Sequence, residues 1–231
     1  SHKTVVGRYV AENNVNILVP SDKRITQDIL IPHDAIGDAR PNQIVVAEII
    51  EHPTRRSQPV GRIVEVLGDH MAPGMEIEVA IRAYDLPHVW PDAVLSDVSS
   101  LAPQVPEEAK AGREDLRTVP LVTIDGEDAR DYDDAVWAEP GADAGNPGGW
   151  HLLVAIADVS HYVRPGTALD REGQNRGNSV YFPNNVIPML PEILSNGLCS
   201  LNPLVDRLCM ACEMEIDAHG EIKDYRFFEA L

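Results

Sequence analysis

The sequence predicts a mixed chain: a small five-stranded β-barrel, then an α+β region whose sheet is left incomplete. Three observations point there. Residues 3–67 hold five short β-branched runs separated by turn residues. Residues 68–118 hold three stretches of helical character, each headed by a proline, and residues 119–231 return to longer apolar strands. Charge divides along the same line. Residues 1–67 carry eight Lys/Arg and eight Asp/Glu, whereas residues 68–231 carry 11 and 29, so the net charge of −18 lies wholly in the second part.

The barrel strands are TVVGRYVA, VNILVP, DILIP, IVVAEIIEH and VGRIVEVL. Asn13-Asn14 marks the first turn, because Asn tolerates left-handed backbone. Pro32, Pro41 and Pro53 fall at strand ends or connections, where a missing N–H does no harm. Five such strands in so short a span fit a barrel of the OB type, with an SH3-like barrel as the alternative. The barrel is assigned to 1–67, a helical linker to 68–118, and a second domain to 119–231.

In the linker, MAPGMEIEVAIRAYDLP reads both ways. Met75, Ile77, Val79 and Ile81 alternate as in a strand, but Ile77, Ala80, Ile81 and Tyr84 share a helical face, and Pro73 suits a first turn. Helix is preferred. PDAVLSDVSSLA and PEEAKAGRED repeat the device, the latter with acids in its first turn, where the helix dipole favours them.

From Val119, VPLVTID and DAVWAE read as strands around an acidic loop. PGADAGNPGG is a solvated hairpin connection rather than a phosphate cradle, since no helix follows it. WHLLVAIADV is a buried strand. Thr167 caps a helix with Asp170 three residues on. YFPNNVIPMLP is irregular, and RLCMACEMEI and IKDYRFFEAL form a hairpin. The last strand leaves an edge open to pairing, from which self-association of the 231-residue piece is expected.

The chain is 44% apolar but only 5% aromatic, so its core is aliphatic. It has no apolar run of 18 residues and opens on no signal peptide, so no membrane partner is expected. Three cysteines, Cys199, Cys209 and Cys212, fit a reducing, cytoplasmic setting. Cys209 and Cys212 form a CxxC with no second pair to complete a zinc set, and their apolar surroundings favour packing over metal or redox work. The acidic second part cannot hold a phosphate backbone by its net field. It would need metal ions, or a basic groove supplied elsewhere.

Between positions 125 and 134 stand Asp125, Glu127, Asp128, Asp131, Asp133 and Asp134, with Arg130 as the only cation. Crowded carboxylates raise one another's pKa. In extended backbone Asp131 and Asp133 share a face and Asp134 takes the other, while a turn can return Asp125 toward them. Such an all-oxygen set suits a hard cation, Mg²⁺ or Mn²⁺. An EF-hand fails, because its sixth position would be Asp133 where glycine is needed. An aspartic dyad needs only two acids. A solvated acidic loop is the other reading that spacing leaves open.

TIDGEDARDYDDAVWAE, then VAIADVSHYV, LDREGQNRGNSVYFPNNVIPMLP and LSNGLCSLNPLVDRLCMACEME together resemble the start of the catalytic domain of the ribonuclease II/R family. The resemblance implies a processive, metal-dependent 3′→5′ exoribonuclease. It would act on single-stranded RNA or RNA with a 3′ overhang and release nucleoside 5′-monophosphates. The barrel would be the second of the family's two cold-shock barrels. By the same resemblance Asp125, Asp131 and Asp134 are metal ligands, and Asp133 is the acid whose loss abolishes chemistry while RNA still binds, either by holding a second metal or by orienting water. Two divalent ions, roughly 3.5–4 Å apart, suit phosphodiester hydrolysis by clamping the attacking and leaving oxygens. Tyr181 would stack on a base near the 3′ end, against the alternative of a core tyrosine beside Phe182. An arginine that stabilises the scissile phosphate belongs to later sequence of the family, so this piece alone is expected to be inactive. Asp158 reads as a strand-end or supporting acid, and Arg176 as a solvated helix residue, with a phosphate contact as the alternative. A pure RNA-binding module and a partner-binding fragment are the rival functions.

Overall fold

The computed structural model describes residues 4–54, 56–127, 129–141 and 145–231. Asp128 and the middle of the glycine-rich connection, 142–144, lie outside the described residues. The chain divides into two compact units, Ser1–Val89 and Trp90–Leu231.

In the first unit, β1 (Thr4–Glu12), β2 (Val15–Pro20), β3 (Ile29–Leu30), β4 (Gln43–Glu51) and β5 (Val60–Asp69) close into a barrel of order β1-β2-β3-β5-β4. Alternation selects the inner face: Val5, Tyr9, Leu18, Ile29, Val45 and Ala47 fill it. Asn13 and Asn14 take φ of 49° and 66°, the paired left-handed geometry whose twist matches flanking strands. Gly7 is required by closeness, because a Cβ there would stand 2.2 Å from the Val19 carbonyl oxygen. Helix α1 (Met75–Ala83) belongs to this unit, its Met75 buried with Val6, Ile44 and Val46. The helical reading of that ambiguous stretch holds.

The second unit begins with α2 (Asp92–Val98) and α3 (Glu107–Lys110). It continues through β6 (Asp134–Pro140), β7 (Trp150–Ala157), α4 (Val159–Tyr162) and α5 (Ala168–Arg176). A small hairpin, β8 (Val180–Phe182) with β9 (Asn185–Ile187), precedes β10 (Cys209–Ile216) and β11 (Ile222–Ala230). The main sheet is antiparallel in order β11-β10-β7-β6. One face buries Leu153, Ala155, Cys209, Ala211 and Ala230. A separate core joins Val94, Leu169, Leu194, Leu198 and Leu208. Cys209 and Cys212, three apart on a strand, project to opposite faces, and all three cysteines are free thiols.

Three expectations are corrected. VPLVTID is not a strand: it makes one isolated bridge, Val122 to Val136, because Pro120 lacks a donor and Ile124 points to solvent, 85% exposed. YFPNNVIPMLP is not irregular throughout, since its first half forms the β8–β9 hairpin around Pro183-Asn184. The edge of β11 is not wholly open. Glu114 N donates to Glu229 O at 3.0 Å and Leu231 N to Glu114 O at 2.9 Å, which covers its last residues. Arg226, on that strand, bridges Glu114 and Glu213, a charged device of the kind that discourages edge pairing.

Candidate active site

The acids gather where the segment before β6 doubles back. Val122 and Val136 exchange backbone hydrogen bonds of 2.9 and 2.8 Å, and Ala129 N then donates to Gly126 O at 3.0 Å. That turn returns Asp125 to the electrostatic neighbourhood of Asp133. Asp134 opens β6 opposite Ile156 on β7.

Backbone anchors fix the run between the turn and the strand. Ser200 Oγ donates to Arg130 O and accepts from Tyr132 N, each at 3.0 Å. Leu201 N donates to Tyr132 O at 2.8 Å, and Ala157 N to Asp133 O at 2.9 Å. Asp131 and Asp133, on either side of Tyr132, therefore spring from a held backbone. Sequence reading did not find Ser200. Its only signal is a small polar residue inside the apolar run LCSL.

Burial raises the pKa of Asp133, although the residue reaches solvent, and the charges of Asp131, Asp134 and Asp125 add to the rise in that order. Those carboxylates thus share one field. Tyr181 is not a core tyrosine: it is 62% exposed and its hydroxyl donates to Asp131. That bond, followed by desolvation, raises the phenol's pKa, so the ring stays neutral beside the acids. Beneath them Cys199 is 2% exposed. Burial first, then the charge of Asp133, pushes its thiol up to about 12, so it is an inert packing residue.

The donor set is wholly oxygen, the chemistry of a hard cation site. Among the described residues, no three His, Cys, Asp or Glu side chains converge closely enough to grip one ion as they stand. The donors fit such an ion in kind, but their spacing is not that of a finished cage. A cavity of about 590 Å³ lies nearby, lined by Leu121, Tyr132, Ala155, Leu201 and Cys209 among others; none of the four aspartates lines it.

Two other candidates are structural. Asp158 is 4% exposed. It accepts from Arg113 Nη2 at 2.6 Å and from Ser160 Oγ at 2.8 Å, and caps α4 through His161 N. Arg176 is not solvated. Its side chain is 2% exposed, bonded to Glu172 at 2.8 Å and to Pro188 O at 3.1 Å, with the guanidinium 3.4 Å from the centre of the Trp90 ring.

The RNB domain model matches residues 113–231, and a cold shock domain model matches residues 17–91. Ribonuclease R of Escherichia coli is 60% identical over 227 residues, which cover 98% of this chain and 27% of that protein. The chain thus spans about a quarter of that relative's length. A solved structure of Mycoplasma genitalium RNase R in complex with double-stranded RNA aligns with a TM-score of 0.88 at 28% identity, covering 100% of this chain and 40% of that one. The yeast pseudonuclease Ssd1 aligns with a TM-score of 0.71 at 21% identity, covering 99% of this chain and 29% of that one. That last likeness concerns the fold alone, and fold by itself does not carry activity.

Proposed function

This chain belongs to the family of proteins that carry an RNB domain, and on that premise we propose that it is the barrel and acid-bearing part of a processive 3′→5′ exoribonuclease. The whole protein hydrolyses single-stranded RNA, or RNA with a 3′ overhang, to nucleoside 5′-monophosphates in the cytoplasm. The observation that supports this reading most is the shared field of Asp125, Asp131, Asp133 and Asp134. Repulsion of that kind is costly to fold around and is relieved by a bound cation.

Asp125, Asp131 and Asp134 would hold a divalent ion, Mg²⁺ or Mn²⁺. When bound, such an ion supplies charge neutralisation at a phosphate and an ionised water. The chain's own residues do the rest. Asp133 is the acid on which hydrolysis depends. Tyr181 offers an exposed ring to the base near the 3′ end, an arrangement that tolerates any sequence. Its hydroxyl bond to Asp131 keeps that ring beside the acids.

The 231 residues alone do not degrade RNA in this reading. Residues 68–231 hold 11 cations against 29 acids, too few to stabilise a phosphate in a transition state. Losing such stabilisation commonly costs about 10²–10³ in rate.

The experiment is to incubate the full-length protein with 5′-labelled oligo(A), with Mg²⁺ and with EDTA. Shortening from the 3′ end with release of mononucleotides, abolished by EDTA, is expected. Internal cleavage, or retention of RNA without products, would replace this reading with an endonuclease or an RNA-binding module.

A further inference from the structure

We infer that Ser200 is a positioning residue for the acidic loop, holding Asp131 and Asp133 in place through its hydroxyl. The inference rests on the reading of those acids as the hydrolytic site. Ser200 is 0% exposed, and a buried hydroxyl is costly unless its hydrogen bonds are made. Its donor goes to Arg130 O and its acceptor takes Tyr132 N, both at 3.0 Å. The two contacts straddle Asp131. One residue on, Leu201 N donates to Tyr132 O at 2.8 Å, just before Asp133. A side chain that bonds two backbone groups two residues apart fixes the backbone between them, and with it the direction in which Asp131 leaves the chain.

The frame behind Ser200 is tied by hydrogen bonds and joined to a buried core. Ser200 N donates to Gly197 O at 3.1 Å and Cys199 N to Leu194 O at 2.8 Å. Arg207 Nε donates to Ser200 O at 3.0 Å. Leu194, Leu198, Cys199 and Leu208 around it belong to one core. Through one hydroxyl, the packed interior of the second unit thus reaches the loop that carries the acids. The loop's sequence, GEDARDYDD, is polar and places Asp131 and Asp133 only partly inside or at the surface, so apolar burial does not hold it. Hydrogen bonds to residues behind it do, and supporting contacts of this sort typically change ligand affinity or activity by about 10–100-fold when removed.

The test uses the full-length protein and Ser200→Ala, with Mn²⁺ as the probe ion. Three readings are compared with wild type: Mn²⁺ affinity by electron paramagnetic resonance titration without RNA, hydrogen exchange at the Tyr132 amide, and turnover against RNA affinity. Expected are faster exchange at Tyr132, Mn²⁺ binding weakened by about tenfold, turnover reduced by about 10–100-fold, and RNA affinity unchanged. A lowered melting midpoint with wild-type Mn²⁺ affinity and turnover would make Ser200 a packing residue and overturn the proposal. So would unchanged exchange at Tyr132. Ser200→Cys, similar in size but a weak hydrogen-bonding group, takes the same measurements if the alanine variant does not fold. Failure here is distinct from failure of the function itself, in which wild type would bind no Mn²⁺ and Asp133→Asn would remain active.

Discussion

Asp133 and Asp158 stand at the meeting ends of two neighbouring strands, tied through the hydrogen bond from Ala157 N to Asp133 O. They are treated in opposite ways. Asp158 is buried, which alone would raise its pKa, yet bonds from Arg113 and Ser160 outweigh burial and hold it below its ordinary value. Asp133 is more open, and burial and all three charged neighbours named above push it upward. One acid is matched by an arginine whose side chain is 4% exposed. The other is set among like charges on a fixed loop. On the proposed function, the difference separates a charge that builds the fold from charges kept available for a cation. Natural sites commonly give up stability in this way for function.

The contrast can be sharpened by removing each acid in turn. In the full-length protein, Asp133→Asn should reduce turnover by on the order of 10³-fold or more with RNA affinity nearly unchanged, measured by single-turnover hydrolysis and filter binding. Near-normal turnover would return the cluster to a solvated loop. Asp158→Ala should act on the fold instead. It removes the 2.6 Å carboxylate partner of the buried Arg113 and leaves only Glu229, at 3.9 Å, as a counter-charge, a loss of up to about 3–5 kcal/mol, read as a lower midpoint in chemical denaturation. If Asp158→Ala spares stability but removes activity, the roles given to the two acids are exchanged.

Tyr181→Ala should change the end product more than the rate, because a lost stacking platform costs about 1–3 kcal/mol and is felt most on the last nucleotides held. An unchanged product ladder on oligo(A) would mean that the exposed ring does not touch RNA.

The two acids should also differ with pH. Asp158 has a lowered pKa, so its stabilisation is fully present above its ordinary value of 3.8 and is lost as pH falls through the lower folded value. Asp133 has a raised pKa, so its ionisation costs stability at neutral pH, and the cost disappears as pH falls through a value above 3.8. Denaturation of Asp133→Asn and wild type at pH 7 and pH 4 should show their difference narrowing on acidification.

Much of this was legible in the sequence because it depends on local pattern. The barrel follows from alternation in runs such as VNILVP and from Asn13-Asn14, and the acids from a charge run too dense to miss. What was hidden depends on contacts across the chain. Arg113 and Asp158 are 45 positions apart and Ser200 lies 68 beyond Tyr132; neither spacing has a period to detect. Arg176 looked like a surface residue because its helix is polar, and the Trp90 ring and the Pro188 carbonyl, brought over by packing, help take it out of water. The β8–β9 hairpin was masked by strands of three residues each around a proline.

The central claim is that the negative charges crowded around Asp133 are left unmatched for a cation held by Asp125, Asp131 and Asp134. The most direct measurement is the thermal midpoint of wild type and Asp133→Asn, each in EDTA and then with Mg²⁺ added. The variant should melt higher than wild type in EDTA, and Mg²⁺ should raise the wild type by more than the variant. A variant that melts lower in EDTA, with both proteins responding equally to Mg²⁺, would contradict it.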